Sequence, residues 1–227
     1  IAKTSVTSEL VDTMAERMGI ECYNTLTGFK YIASLMGKFE GKKRFVAAGE
    51  ESYGYMAGDF VRDKDAVSAC AFFAAMAASS TEEQKSMYDW LIDMYVEFGF
   101  YKEHLLNLTR KGQQGEQEIK AMMEKFRNNP PAEITGSRVV RILDYKSLEE
   151  KDLVKGTSSK LDFPVSDVLQ FYLADGTKVS VRPSGTEPKI KFYIAVKTDL
   201  PSRSEFEAAD KKLDQRIKAI EEYLLAG

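Results

Sequence analysis

The amino-acid sequence predicts an α/β domain followed by an α+β domain, and three observations carry that expectation. The first half alternates helical periodicity with short apolar runs. The second half alternates apolar and polar residues with a period of two, and a charged, amide-rich stretch ending in Asn129-Pro130-Pro131 lies between them. A period near 3.6 marks an amphipathic helix and a period of two a half-buried strand. Helices interleaved with apolar strands build α/β layers, whereas hairpins followed by a helix build an α+β domain.

Taken in order, residues 6–18 read as a helix. Thr7 or Ser8 caps it, Glu9 suits its first turn, Val11, Met14, Ala15 and Met18 share a face, and Gly19 ends it. Phe45-Val46-Ala47-Ala48 is a short apolar run stopping at Gly49, as expected of a buried strand. Asp65 caps an alanine-rich helix reaching residue 79; Thr81 then opens another, with Gln84 completing a capping box. Met87, Trp90, Leu91, Met94, Tyr95 and Phe98 give that second helix its apolar face. Lys111 to Asn129 reads as one exposed helix, which the two prolines stop. The domain boundary is therefore expected between 128 and 137, giving domains 1–128 and 137–227. Beyond it, Leu169, Phe171 and Leu173 alternate with polar neighbours and Asp175-Gly176 supplies a turn. Val179 and Val181 lie on the return strand, and Ile190, Phe192, Ile194 and Val196 alternate again. Ser202 and Glu205 box the start of a last helix with Phe206, Leu213, Ile217, Ile220 and Leu224 inward.

Composition narrows the function. Of 227 residues, 44% are apolar and 30% charged, enough for a packed core. The net charge of −3 gives no global attraction to nucleic acid or to an anionic membrane. Cys22 and Cys70 are too few for a disulfide framework, so both are expected to be buried free thiols in a reducing, cytoplasmic setting. No apolar run is long enough to span a bilayer. The start at Ile1 has neither a methionine nor an apolar leader, and the chain is expected to be a piece of a longer one.

Several loops can carry chemistry. Arg182-Pro183-Ser184-Gly185-Thr186-Glu187-Pro188-Lys189 joins two strongly alternating strands. Arg182 offers a planar fork of donors, Ser184 and Thr186 offer hydroxyls, and Gly185 lets backbone amides converge on an anion. On residue types alone the loop is a phosphate or carboxylate site, or an ordinary polar hairpin. Gly49-Glu50-Glu51-Ser52-Tyr53-Gly54 follows an apolar strand, and ligands collect at the carboxyl ends of strands in α/β sheets. It is a hydroxyl-accepting carboxylate site or a solvated acidic turn. Thr25-Leu26-Thr27-Gly28-Phe29-Lys30 is a loop that can approach a ligand closely, or simply a turn into a helix. Arg62-Asp63-Lys64-Asp65 reads first as a charged helix start, and His104, the single histidine, as structural or exposed.

In their order along the chain, TSVTSEL (4–10), TLTGFKYI (25–32), GEESYGY (49–55), DKDAV (63–67) and RPSGTEPKIKFYI (182–194) resemble the α-D-phosphohexomutases. Those enzymes carry four domains around one cleft, and this chain is similar to the third (α/β) and the fourth (a TATA-binding-protein-like α+β fold). The resemblance implies sugar-hydroxyl recognition by Glu50 and Ser52, with Thr27, Gly28 and Lys30 beside the cleft. It implies phosphate binding by Arg182, Ser184, Gly185, Thr186 and Lys189, and an acid/base helper in Lys64; Lys3 is a weaker cleft candidate. It also implies magnesium and a glucose 1,6-bisphosphate intermediate in the full-length enzyme. The family's phosphoserine loop T-A-S-H-N-P and magnesium loop D-x-D-G-D-R are not in this sequence. The chain is therefore expected to be a substrate-recognition half, inactive without the N-terminal domains that complete it. GEESYG looks more like phosphoglucomutases and phosphopentomutases than the GEMSG of bacterial phosphomannomutases. A stand-alone sugar-phosphate-binding module is the alternative. A nucleic-acid binder, raised by the fourth domain's fold, lacks a basic stripe with interleaved aromatics.

Overall fold

The computed structural model describes residues 1–185 and 187–226. The chain forms two compact units: residues 1–101 with 199–206, and residues 102–198 with 207–226.

The first unit is built on four strands in the order β2 (Tyr23–Thr25), β1 (Ala2–Thr4), β3 (Ala47–Glu50), β4 (Gly54–Ala57). β1 runs parallel to β2 and β3, with Thr4 beside Thr25 and Lys3 beside both Asn24 and Gly49. β3 and β4 form an antiparallel hairpin pairing Glu50 with Gly54. Parallel pairing sets the carboxyl ends of β1, β2 and β3 along one edge, which is where α/β folds gather functional groups. The strand expected at 45–48 thus continues through Gly49 and Glu50, because both still pair with β4. Against the sheet lies α2 (Phe29–Phe39), whose Phe29, Ile32 and Met36 share a core with Ala2, Ala48 and Met56. α1 (Leu10–Arg17) and α4 (Met87–Phe98) meet through Leu10 and Phe98, with Tyr101 completing the cluster.

Several helix boundaries differ from expectation. The helix read as 6–18 starts at Leu10, with Glu9 rather than Thr7 or Ser8 at its N-cap and no side-chain cap bond from it. The Ser202–Glu205 box does not form: a 3-10 turn, Arg203–Glu205, without a side-chain cap precedes the last helix. Asp65 caps α3 (Ala66–Glu82) through the amides of Val67 and Ser68, as read, but the helix does not break at Thr81. The Thr81 hydroxyl donates back to the Ala77 carbonyl, satisfying itself inside the helix. The capping box belongs instead to Ser86 and Asp89, which open α4.

The second unit is a sheet in the order β5 (Phe100–Thr109), β12 (Lys189–Thr198), β11 (Lys178–Pro183), β10 (Leu169–Leu173), β7 (Ser137–Asp144), β8 (Glu149–Asp152), β9 (Thr157–Lys160), with β6 (Glu133–Ile134) also on β7. The chain passes from the first unit to the second within β5. Leu169, Phe171, Leu173, Val179, Val181, Ile190, Phe192, Ile194 and Val196 are all buried, as their alternation predicts. α6 (Phe206–Ala226) adds Leu213, Ile217, Ile220 and Leu224 to that core. β8 and β9 are short, charged or polar strands at an edge, a composition that discourages further pairing.

The boundary expected between 128 and 137 lies instead at Tyr101–Lys102. The charged stretch is α5 (Gly112–Asn128), and it is not solvated all round: Gly115, Ile119 and Met123 are buried, and it packs on β11 and β12. Pro130 and Pro131 end this helix as read, but they lead straight into β6 of the same unit.

Candidate functional site

In the first unit, Glu50 at the end of β3 is the centre of a small buried network. Its Oε1 accepts the Gly28 amide at 2.7 Å, and its Oε2 lies 3.8 Å from Lys64 Nζ. Gly28 is the N-terminal cap of α2 with φ of 118°, a conformation open to glycine and costly to side chains. Glu50 is only 4% exposed, whereas the Lys64 side chain is 58% exposed. Of the two readings of this loop, the solvated acidic turn does not hold for Glu50: strand pairing carries it into the sheet and buries it. Glu51 turns the other way, its Oε2 accepting from Thr4 Oγ1 at 2.9 Å and Thr7 Oγ1 at 3.3 Å. Alternation along the chain thus gives the adjacent carboxylates different partners.

Gly54 closes the network, and sequence reading did not single it out. A Cβ there would lie 3.0 Å from the Phe29 ring, 3.1 Å from Lys64 Cδ and 3.2 Å from Glu50 Oε2. Its signal was the second glycine of GEESYGY, at the point where a side chain would displace the carboxylate. Lys64 Nζ also sits 5.8 Å from the Phe29 ring centroid.

The structure brings Gly28, Glu50 and Lys64 together, with Ser52 exposed in the turn after Glu50 and Thr27 half-buried beside Gly28. Lys30 is exposed, with Nζ 4.9 Å from the Tyr31 ring centroid. Lys3 does not fit its expected place at a cleft. It is 2% exposed and committed inside the fold, to Asp12 at 2.9 Å and the Thr7 carbonyl at 3.3 Å.

The second unit holds a cavity of about 420 Å³ at the β11–β12 loop. Arg182, Ser184 and Gly185 line it, with Ser166 and Asp167 from the turn before β10 and Lys120 from α5; two further carboxylates, Glu187 and Glu116, share the wall, and Glu116 pairs with Lys120 at 2.8 Å. Ser184 N–H donates to the Lys189 carbonyl at 2.8 Å, and Arg110 N–H to the Pro188 carbonyl at 2.9 Å, so backbone bonds fix both ends of the loop. Lys189 is not on the cavity wall; it pairs with Glu187, which holds the Glu187 carboxyl below its ordinary range. Gly185 is not in the left-handed region and a Cβ there would meet nothing, so glycine is not demanded by space or by φ. Thr186 lies outside the described residues. Ser166, Asp167 and Lys120 were not legible as loop partners, being 15 to 62 residues distant from Arg182. His104 pairs with Glu221 at 2.8 Å, away from these groups in role.

Among the described residues no group of three or more His, Cys, Asp or Glu is arranged to hold a metal ion. No helix among them is long and apolar enough to cross a membrane.

An α/β unit in which Glu50, at the end of β3, accepts the amide that starts α2, followed by an α+β unit with a loop cavity at Arg182, agrees with what sequence comparison finds. The chain belongs to the phosphoglucomutase/phosphomannomutase family: residues 1–98 match its alpha/beta/alpha domain III and residues 105–222 its C-terminal domain. Those limits also fall on either side of Tyr101–Lys102. Among its relatives is a phosphoglucomutase of Staphylococcus aureus, 38% identical over 192 residues, covering 85% of this chain and 35% of the relative. The phosphoglucomutase of Staphylococcus haemolyticus is 33% identical over 199 residues, covering 88% of this chain and 36% of its own length. The chain therefore spans about a third of the length of these curated relatives. Among solved structures, the open form of parafusin, a phosphoglucomutase from Paramecium, superposes with a TM-score of 0.61 at 19% identity. That match covers 97% of this chain and 37% of the Paramecium protein, and shares its fold.

Proposed function

We propose that this chain is the substrate-recognition part of a phosphoglucomutase-type phosphohexomutase, which interconverts sugar 1-phosphates and 6-phosphates. The observation that carries the reading is the loop cavity in which Arg182, Ser184 and Gly185 converge. A guanidinium fork matches two phosphate oxygens, and a loop fixed at both ends loses little entropy on binding. Thr186 belongs to the same loop in the sequence and would add a hydroxyl.

In the first unit, Glu50 recognises sugar hydroxyls. A carboxylate offers roughly four lone-pair sites. Gly28 occupies one and Lys64 stands near another, leaving acceptors for hydroxyl donors. Ser52, Thr27 and Lys30 supply further polar contacts. Lys64, held beside Glu50, is placed to donate to or take a proton from a substrate oxygen as an acid/base helper. The phosphoglucomutase type rests on GEESYG and on the names of the relatives.

The nucleophilic serine and the magnesium ligands belong to N-terminal domains that complete the enzyme, and glucose 1,6-bisphosphate serves as intermediate and activator there. This chain contributes binding and orientation, so by itself it should convert no glucose 1-phosphate. Its two unpaired cysteines suit a reducing, cytoplasmic location.

Calorimetric titration of glucose 1-phosphate into the chain and its Arg182→Lys and Arg182→Ala variants tests the reading. Charge-assisted bonds contribute about 1.5–3 kcal/mol each, so Arg182→Ala should weaken binding roughly tenfold to a hundredfold. Lysine should recover only part, because a point charge cannot copy the fork. Equal affinity in all three would refute it.

A further inference from the structure

Arg127, near the C-terminal end of α5, spreads its guanidinium over three carboxylates. Nε lies 3.0 Å from Asp144, Nη2 2.7 Å from Asp167 and Nη1 3.4 Å from Glu124. Its side chain is 14% exposed, as is that of Asp144, whereas Asp167 and Glu124 are exposed, so the clasp is anchored at Asp144 and reaches outward to the other two. The two aspartates hold neighbouring pieces of chain. Asp144 ends β7, and Asp167 stands in the turn before β10. Backbone bonds already clip those pieces together: Tyr145 N–H to the Val168 carbonyl at 3.0 Å, and Ser166 N–H to the Tyr145 carbonyl at 3.1 Å. Arg127 adds a side-chain clasp from the helix to both.

What makes the clasp matter is where Asp167 lies. Asp167 and Ser166 line the same cavity as Arg182 and Ser184. A free carboxylate in the wall of an anion cavity repels the anion; the Asp167 side chain is 44% exposed, so that repulsion is felt most at low ionic strength. A guanidinium bound to the carboxylate offsets part of its charge and fixes its direction. Glu124 also pairs with Lys146 at 3.2 Å, whereas the ion pairs of Asp144 and Asp167 among the described residues are with Arg127.

We propose that Arg127 is a positioning residue of the phosphate cavity. It pins Asp167 and offsets part of its charge, so that the wall beside Arg182 is fixed and repels a phosphate less. This inference rests on the reading of that cavity as a phosphate site.

The test titrates inorganic phosphate into the 227-residue chain and its variants at one fixed, low ionic strength, with folding confirmed by amide NMR spectra. Arg127→Gln should bind phosphate about threefold to tenfold more weakly. Arg127→Gln combined with Asp167→Asn should return to within about twofold of the parent, because the charge that Arg127 offsets is gone. Arg127→Lys keeps the charge and is the variant to read should Arg127→Gln not fold; it should lose about twofold to threefold, since an ammonium cannot bridge both aspartates. A purely structural Arg127 would lower the melting temperature, leave the phosphate affinity of the folded protein unchanged and show no rescue by Asp167→Asn. Any of those affinity results would overturn the proposal. Arg182→Ala separates the two levels. If it abolishes phosphate binding while the Arg127 variants bind like the parent, the Arg127 role alone fails. If the parent binds no phosphate, or Arg182→Ala binds as well as the parent, the cavity reading fails and the Arg127 role falls with it.

Discussion

Replacing Glu50 by alanine removes the acceptor of the Gly28 amide and leaves that N–H without its side-chain partner in a part-buried position at the start of α2. A hydrogen bond to a charged acceptor is worth about 1.5–3 kcal/mol, and the group left behind carries a desolvation cost of similar size. The Lys64 contact adds little, since at 3.8 Å to a largely exposed ammonium it lies in the range of surface pairs, below about 1 kcal/mol. The expected loss is therefore about 2–3 kcal/mol, and for a chain of this size each kcal/mol moves the melting temperature by roughly 2–4 °C. Glu50→Gln keeps an oxygen for Gly28 and loses only the charge, so it should cost about 1 kcal/mol. Thermal melts of the two variants measure the difference, and hydrogen exchange at the Gly28 amide reports the bond itself. Glu50→Ala should speed that exchange by more than tenfold and Glu50→Gln by much less. Unchanged melting and unchanged Gly28 exchange in Glu50→Ala would refute the claim that this carboxylate is built into the fold.

Three further expectations follow from the geometry. Gly54→Ala should cost about 1–3 kcal/mol, because its Cβ would press on the Phe29 ring and Glu50 Oε2; a melt as high as that of the parent would show the network yields freely. Burial, with the Asp12 carboxylate beside it, pushes the Cys22 thiol up to about 11, whereas Cys70 is exposed on α3 rather than buried as its sequence predicted. Iodoacetamide at pH 8 should therefore label Cys70 at least about a hundredfold faster than the half-buried Cys22, as followed by peptide mass spectrometry; similar rates would contradict the raised pKa of Cys22. Hydrogen bonds from Arg203 and then Lys85 hold Asp93 down to about 2, so its stabilising effect exists above the ordinary carboxylate value and is lost as pH falls toward 2. The stability gap between the parent and Asp93→Asn should be open at pH 6, narrow below about pH 4 and close near pH 2; a pH-independent gap would contradict the assignment.

Much of the second unit was legible because each core strand repeats apolar residues every second position, and burial of Phe171, Val181 and Phe192 follows from that pattern. The last helix was legible for the same reason at period 3.6. Helix boundaries inside residues 79–89 were not. Two capping patterns compete there, and a threonine whose hydroxyl bonds its own helix gives the same sequence signal as one that starts a helix. The domain boundary was misplaced because α5 is rich in charge and amides, yet buries a narrow face of Gly115, Ile119 and Met123. Gly115 is forced by proximity, since a Cβ there would come within 2.7 Å of the Arg110 backbone, and no local pattern announces that. At the candidate sites the residue types of the loops were readable, but their partners were not: Gly28 with Glu50, or Arg127 with Asp167, are joined by sheet topology across 22 and 40 residues.

The central claim is that the loop opening at Arg182 is an anion site in its own right. The most direct measurement is amide chemical-shift mapping of the chain during titration with inorganic phosphate. The account predicts saturable shifts concentrated at Arg182, Ser184 and Gly185 and on the cavity-lining Ser166 and Asp167, all lost in Arg182→Ala. Shifts that are diffuse over the surface, centred elsewhere, or retained in Arg182→Ala would contradict it.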